Sequence, residues 1–255
     1  MNVAILGCGP AGLFAAHAAT LAGHKVTILS KPRRSFMRGA QYLHRPIPGL
    51  SAESFKVDYR LKGSVEGYRD KVYGDLSDIL VSPLTLTGVA DAWDIREAYE
   101  AAWKLYGANV EYWDANTEDM QEIVSEFDEV INTIPAKILC ASPSVHEFVS
   151  QKIWSTNFVK PVGVFAAEIM PDNLVVCSGD AEDWWYRQSR IHGWENTEFP
   201  HDRKPNAKEV WEVEKPISTT CNCWPTVLSM GRYGAWKKGV LSDSAFYDTA
   251  EILAR

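Results

Sequence analysis

The chain lacks the features that mark a membrane, secreted or general nucleic-acid-binding protein. No apolar run approaches the roughly 20 residues that a transmembrane helix requires. Basic residues are outnumbered, 26 Lys and Arg against 33 Asp and Glu, and the net charge of −7 argues against general nucleic-acid binding. No basic leader or cleavage site precedes the first apolar run, so we expect no secretory signal and a cytoplasmic protein that does not associate with a membrane.

Cysteines are few and scattered, and the five are Cys8, Cys140, Cys177, Cys221 and Cys223. An odd number without regular spacing predicts reduced thiols and no disulfide framework. The six histidines are dispersed, and Cys221 and Cys223 have no second ligand pair near them in the sequence, so we expect no metal site. Two interpretations of Cys221 and Cys223 stay open: they form a redox pair, or they are two small, partly buried side chains.

A glycine-rich hexapeptide, GCGPAG at residues 7–12, directly follows the apolar run 3–6. A GxGxxG sequence that ends a strand and opens a helix is typical of dinucleotide sites. Gly7 would form the tight turn, Gly9 would admit a pyrophosphate, and Gly12 would let helix and strand pack closely. The free N–H groups of the helix would face the phosphates. We therefore expect a cofactor to contact Gly7, Gly9, Pro10, Ala11 and Gly12.

The rest of the chain alternates helical and strand patterns. Gly23 ends the first helix and 26–29 forms a second strand, which completes a β-α-β unit. Further on we predict a loop at 31–49, a strand at 55–61 and a second antiparallel strand up to about Tyr73, a helix at 94–106 capped by Gly107, a parallel strand at 109–113, an acidic helix at 117–126 and a buried strand at 128–135. Closely spaced strands follow at 154–159, 162–169, 174–177 and 185–192, then a loop at 196–206, a strand at 226–230 and a helix from about Leu241.

This order predicts an α/β fold in which a Rossmann-like domain is interleaved with an antiparallel sheet. Residues 1–50, 90–145 and 220–255 would form the dinucleotide-binding domain, and residues 51–89 and 146–219 the substrate domain. Strand-glycine-helix patterns at both ends of the chain indicate that the two termini meet around one ligand.

Three separated segments together resemble a known family. They are 3–29, the apolar strand 128–135 that ends in Thr-Ile-Pro, and Met230-Gly231-Arg232 before the last helix. This order is similar to that of FAD-dependent oxidoreductases with two dinucleotide folds, nearest to UDP-galactopyranose mutases and amine-oxidase-type flavoproteins. The resemblance implies that FAD is the cofactor, with its diphosphate held by Gly231 and Arg232. It also implies contacts from Arg38, Gln41, Thr133, Pro135, Trp236, Gly239, Val240 and Leu241. The family is usually longer, which implies a reduced substrate domain here.

The end of the second strand departs from this family. An acidic residue normally binds the adenosine ribose there, whereas this chain has Ser30 followed by Lys31, Arg33 and Arg34. A hydroxyl beside several cations suits a 2′-phosphate, so NADP(H) competes with FAD for the site. A nicotinamide enzyme would not require the Gly-Arg pair at 231–232, which favours FAD, with Ser30 and Lys31 at its adenosine end.

Two segments are candidates for catalysis. In the loop 38–44, Gln41 could hydrogen-bond a substrate and His44 could act as acid or base near neutral pH, unless the loop is only structural. In the strand 185–192, alternate residues share a face, and Tyr186 with Arg190 would suit a carboxylate or phosphate, unless that face is simply solvated. Arg187 lies on the opposite face and is the fourth candidate, with His44, Tyr186 and Arg190.

These observations favour an FAD-dependent oxidoreductase acting on a small polar or anionic molecule, including a nucleotide-derived one. Three alternatives stay open: a non-redox, mutase-like flavin isomerase, an NADP(H)-dependent reductase without flavin, and a nucleotide-binding regulatory module. The sequence leaves the oligomeric state open, a homodimer included.

Overall fold

The fold comes from a computed structural model, which describes residues 1–32, 35, 37, 39, 41–74, 76, 79–156 and 170–254. The strands are β1 (Asn2–Leu6), β2 (Lys25–Ser30), β3 (Phe55–Lys62), β4 (Gly88–Ala92), β5 (Val110–Tyr112), β6 (Glu129–Asn132), β7 (Phe148–Thr156), β8 (Leu174–Ser178), β9 (Arg187–Ile191), β10 (Trp194–Pro200), β11 (Trp211–Thr219) and β12 (Val227–Ser229). The helices are α1 (Pro10–Leu21), α2 (Val65–Tyr73), α3 (Ile95–Tyr106), α4 (Met120–Glu126), α5 (Gly231–Gly234) and α6 (Ser244–Leu253). Short 3-10 helices lie at 83–85, 107–109 and 136–138.

A parallel sheet carries the first β-α-β unit. Its order is β12-β6-β1-β2-β5, and every pairing in it is parallel. Helix α1 begins at Pro10 and packs against α3 and α6 on one face of this sheet, while apolar residues of α4 pack with those of β1 and β6 in a separate cluster. This arrangement confirms the predicted Rossmann-like unit, and Gly107 does end α3.

The second sheet has the order β11-β7-β10-β9-β8-β3-β4. Its pairings are antiparallel except between β3 and β8, which confirms the predicted inserted sheet in its main features. The division of the chain into two domains at the stated boundaries stays a prediction. The parallel sheet draws its strands from residues 2–30, 110–132 and 227–229, and the second sheet from 55–92 and 148–219.

Residues 65–73 form a helix, so the predicted antiparallel strand there is wrong. Ser64 caps α2 by accepting a hydrogen bond from the Gly67 N–H. Tyr68 and Val72 lie four residues apart and bury one face of the helix, which is the helical period rather than the strand period. Gly67 packs so closely on Gly179 that a Cβ would lie 2.1 Å from the Gly179 oxygen.

Three further strands, β4, β10 and β11, differ from the predictions. The segment 194–200, mostly predicted as a loop, is the strand β10, and it is polar yet buried because it lies between β7 and β9. Strands β4 and β11 were not predicted at all. The predicted strand 162–169 lies outside the described residues, as do Arg33, Arg34 and Arg38.

The two ends of the chain lie together. Helix α6 packs on α1, and β12 pairs with β6 beside β1. A Cβ on Gly231, at the start of α5, would lie 2.8 Å from the Cβ of Ala11 in the first turn of α1. The predicted meeting of the termini is therefore confirmed. Across the described parts of the chain, no helix combines the length and apolar character needed to cross a bilayer.

Candidate functional site

A cavity of about 1050 Å³ lies where the carboxyl ends of β1, β2, β5 and β6 face the second sheet. This position is where open parallel sheets bind ligands. Thirteen of the predicted cofactor residues line it: Gly7, Gly9, Pro10, Ala11, Gly12, Ser30, Lys31, Gln41, Thr133, Pro135, Arg232, Val240 and Leu241. Two predicted catalytic residues, His44 and Arg187, line it as well. The cavity thus joins the amino-terminal, middle and carboxy-terminal segments.

Each of the three glycines at 7–12 has a different structural role. Gly7 has φ +105°, a conformation that side chains disfavour, and it lets the chain turn sharply from β1. A Cβ on Gly12 would lie 1.9 Å from the Gly7 carbonyl oxygen, so the start of α1 packs tightly on this turn. A Cβ on Gly9 would find its nearest described neighbour, Ser35 Oγ, at 3.5 Å. The fold itself therefore tolerates a methyl at Gly9, and the space there is available to a ligand.

The amino terminus of α1 opens into this cavity. Gly9 is the N-cap residue in extended conformation, and no side chain among the described residues caps the helix. The first N–H groups of a helix need acceptors, and the helix dipole adds positive potential at the same place. This end of α1 is consequently suited to bind an anion such as a diphosphate.

Three predicted cofactor residues lie outside the described lining of the cavity. Gly231 and Gly239 have positive φ and shape the segment beside the cavity. Trp236 is fully buried, donates its indole N–H to the Val149 carbonyl at 3.0 Å and meets Phe148 edge-on. In this structure Trp236 therefore holds the carboxy-terminal segment against β7 and does not stack over the cavity.

An ionic cluster around the buried Glu198 forms the far wall. Glu198 Oε1 accepts hydrogen bonds from Arg187 Nη2 and from Lys215 Nζ, both at 2.7 Å. Burial alone would raise the pKa of Glu198, but the two cations lower it to about 2. Burial lowers the pKa of Lys215 to about 8 despite Glu198, and Arg187 contributes in the same direction. At neutral pH the cluster therefore carries two positive charges against one negative charge.

Three polar atoms of residues that line the cavity lack partners. Arg187 Nε, Glu198 Oε2 and Arg232 Nε are buried without a hydrogen-bond partner among the residues that the structure describes. Buried polar groups are normally paired, and an unpaired one costs about 1–3 kcal/mol. These atoms favour a polar ligand in the cavity.

Strand β9 presents Arg187 and Ser189 to the cavity. The side chain of Arg187 is 37% exposed, toward this space. Tyr186 lies behind the wall, where its hydroxyl accepts from Lys215 Nζ at 3.1 Å. Arg190 donates to Glu195 at 3.3 Å and to the Met170 carbonyl at 3.4 Å, outside the described lining. The structure does not bring the predicted pair Tyr186 and Arg190 together at the cavity.

His44 lies in the cavity wall close to Tyr42, with ring centroids 5.1 Å apart. Burial is the main reason that the pKa of His44 is lowered from its usual value, and Arg187 lowers it further while Asp243 opposes both. The imidazole is therefore uncharged at neutral pH. Tyr42 shares a 2.5 Å hydroxyl contact with Tyr59, and burial raises its pKa, which keeps it protonated.

Sequence analysis missed several residues of the site. Glu198 was assigned to a loop and Lys215 lies on the unpredicted strand β11. The alternation of side chains along 211–219 is the signal that could have located β11. Asp114, beyond the end of β5, lines the cavity and pairs with Lys31 at 2.7 Å. A carboxylate therefore lies beside the strand end at Ser30 that lacks one of its own.

No protein-family model matches the chain, and no curated protein does. Solved structures match it over nearly its whole length. They include BrvH, a flavin-dependent halogenase from Brevundimonas sp. BAL3, with TM-score 0.55 and 12% identity over 99% of this chain and 71% of that one. A 2,6-dihydroxypyridine-3-hydroxylase from Arthrobacter nicotinovorans has TM-score 0.54 and 11% identity over 99% of this chain and 83% of that one. CtdE, solved in complex with FAD, has TM-score 0.52 and 12% identity over 100% of this chain and 80% of that one.

At these identities the similarity shows the fold alone. The chain has the α/β fold of Rossmann-type flavoproteins, as predicted. The comparisons do not confirm the more specific likeness to UDP-galactopyranose mutases and amine oxidases.

Proposed function

We propose that this protein is an FAD-dependent oxidoreductase that acts on a small polar or anionic molecule. The observation that carries the proposal is the convergence of the GxGxxG turn, the segment after β6 and Arg232 on one cavity, in a fold shared with flavoproteins. The cavity, at about 1050 Å³, is slightly larger than the roughly 300–1,000 Å³ typical of small-molecule sites. It is large enough to suit a dinucleotide.

The residues of the cavity fit FAD. The amino terminus of α1 at Gly9 would hold the diphosphate, together with the unpaired Nε of Arg232. Ser30 and Asp114 would receive the adenosine end, and Gln41, which also lines the cavity, would face the flavin ring. When bound, FAD supplies the electron-accepting chemistry, and the protein supplies orientation and charge.

The ion pair at the adenosine end favours FAD over NADP(H). Lys31 is paired with Asp114, so this cation is already neutralised by a carboxylate. A carboxylate beside a ribose suits free hydroxyls and opposes a 2′-phosphate. We propose that Asp114, brought in by β5, takes the place of the acidic residue that the end of β2 lacks.

The far wall would bind the substrate. Arg187 and Lys215 are only partly offset by Glu198, so the wall attracts an anion. His44 is uncharged and lies in the same cavity, so its imidazole nitrogen can accept a proton from a bound molecule. Arg187 and Lys215 project from strands β9 and β11. His44 projects from a loop that is anchored by the backbone pairing of Leu43 with Trp93.

The experiment that tests the proposal is an absorbance spectrum of the purified protein and mass identification of the released chromophore. We expect bound FAD, or its uptake when FAD is added. A protein that stays colourless with added FAD would contradict the proposal, and nicotinamide binding by that colourless protein would instead indicate a reductase without flavin. Turnover without an electron acceptor would indicate an isomerase, and bound FAD that no substrate bleaches would indicate a regulatory module.

Two arginines of β9 provide a matched pair for the substrate wall. In FAD-loaded protein, Arg187→Gln should weaken binding of small carboxylates at least about tenfold, because a charged hydrogen bond contributes roughly 1.5–3 kcal/mol. Arg190→Gln should change it less than about twofold, because its side chain points away from the described cavity. Titration of a panel of carboxylates, followed by perturbation of the flavin absorption bands, measures both. Equal losses in the two variants would contradict the placement of the substrate at Arg187.

A further inference from the structure

Four side chains with metal-binding atoms cluster away from the cavity. Cys140, His146, Cys221 and Cys223 each point one ligand atom inward, and all four atoms lie within 4.8 Å of one another. Cys140 is buried and the other three are partly buried. The second ligand pair that Cys221 and Cys223 lack in the sequence is thus supplied by the tertiary structure.

Four distances between these atoms match those expected between the ligands of one tetrahedral zinc ion. Bonds of about 2.3 Å to sulfur and about 2.0–2.1 Å to nitrogen place two sulfurs about 3.8 Å apart and a sulfur and nitrogen about 3.5 Å apart. Cys223 Sγ lies 3.8 Å from Cys140 Sγ and 3.7 Å from Cys221 Sγ. His146 Nδ1 lies 3.3 Å from Cys140 Sγ and 3.5 Å from Cys223 Sγ.

The same distances do not describe a disulfide. A disulfide requires sulfurs about 2.05 Å apart, far closer than the separations within the cluster. Three thiols and an imidazole nitrogen are instead the Cys₃His donor set of structural zinc sites.

We propose that Cys140, His146, Cys221 and Cys223 bind one structural Zn²⁺. Four protein ligands close the coordination shell and leave no position for a substrate, so the site holds the fold together and performs no chemistry. The proposal does not depend on the cofactor or on the reaction.

The position of the cluster indicates which parts of the fold a bound zinc ion would hold together. The chain passes between the two sheets at 133–147, from β6 to β7, and again at 220–226, from β11 to β12. Cys140 and His146 belong to the first crossing, and Cys221 and Cys223 to the second. Zinc would therefore fasten both crossings to each other and fix β11, which carries Lys215, relative to the parallel sheet.

Existing contacts hold the crossings in the required register. Glu147 and Thr220 exchange hydrogen bonds, with Glu147 N donating to Thr220 Oγ1 at 2.9 Å and Thr220 N donating to the Glu147 carbonyl at 3.2 Å. Trp224 donates its indole N–H to the Leu139 carbonyl at 2.7 Å. Each ligand pair is thus anchored by a neighbouring contact, so the site is preorganised.

The first test is the metal content of the wild-type protein, purified without chelator from zinc-supplemented culture. We expect about one zinc per chain by elemental mass spectrometry. After zinc removal, added Co²⁺ should give the ligand-field bands of a tetrahedral thiolate site, at wavelengths longer than those at which oxidised flavin absorbs. Protein with no metal above the buffer level and no such Co²⁺ bands would overturn the proposal, as would a Cys221–Cys223 disulfide in freshly purified protein.

Ligand variants locate the site. Cys223→Ser and His146→Gln should lose most of the zinc, whereas the controls Cys177→Ala and His201→Gln should retain it. If a ligand variant does not fold, the same comparison is made on the wild type, where a chelator should lower the melting temperature. Retention of full zinc content in both folded ligand variants would overturn the assignment, and so would a melting temperature that chelator leaves unchanged. FAD content is measured separately, because zinc binding can stand even if the flavin proposal fails.

Discussion

Gly9→Ala is expected to weaken FAD binding about 10- to 100-fold while leaving the apoprotein as stable as the wild type. Gly9 has φ −69° and ψ 177°, which alanine adopts without strain, and the nearest described atom to a new Cβ lies at 3.5 Å. The methyl group would instead occupy the space through which a diphosphate approaches α1. A 10- to 100-fold loss is about 1.4–2.7 kcal/mol, which lies within the roughly 1–3 kcal/mol that overpacking of this kind costs. Titration of apoprotein with FAD, followed by tryptophan fluorescence, measures it.

Gly23→Ala, at the other end of α1, is the matched control. Gly23 has φ +81°, and no described atom lies within 4 Å of a Cβ built there. Alanine is strained in that conformation, so this variant should lose roughly 1 kcal/mol of unfolding free energy and keep its FAD affinity. Gly9→Ala should therefore lose FAD affinity and keep its stability, whereas Gly23→Ala should lose stability and keep its FAD affinity. Tight FAD binding by Gly9→Ala would remove the amino terminus of α1 from the cofactor site.

Glu198→Gln is expected to lower the free energy of unfolding by about 3 kcal/mol at pH 7. The substitution leaves Arg187 and Lys215 in the wall without their shared carboxylate, and breaking a buried pair typically costs roughly 3–5 kcal/mol. The pKa of Glu198, about 2 against a usual 4.5, implies a contribution of about the same size. Urea denaturation of wild type and variant measures the difference.

The stability difference between wild type and Glu198→Gln should decrease at low pH. Because the pKa of Glu198 is lowered by folding, its contribution is fully present above about pH 4.5 and is lost as the pH falls through about 2. The stability gap between wild type and Glu198→Gln should therefore close over that range. Glu195→Gln, which alters one of the two carboxylates beside Arg190, should stay within about 0.5 kcal/mol of wild type throughout. A gap that persists at pH 2 would contradict an ionised Glu198 in the folded protein.

The local sequence determined the Rossmann unit and the glycine-rich turn that lines the cavity. Gly7 and Gly12 are required by backbone geometry within a few residues, a positive φ in one case and contact with the neighbouring turn in the other. Such constraints act over short stretches, so they are visible in the sequence, as are the parallel strands and the helical spacing of α3. The carboxy-terminal Gly231 belongs to this group, because its φ of +66° is a backbone conformation that favours glycine.

Tertiary structure alone decided the chemistry of the far wall and of the cysteine cluster. Glu198, Arg187 and Lys215 come from three strands, and their pairing depends on the order of the second sheet, which local periodicity does not encode. The face of β9 that meets the cavity was likewise set by what packs behind it, so Arg187 lines the cavity while Arg190 does not. Cys140 and Cys223 are 83 residues apart and meet only because the segments 133–147 and 220–226, which both connect the two sheets, pass the same point. Long-range contacts of this kind depend on the whole fold, and no short segment carries the information to predict them.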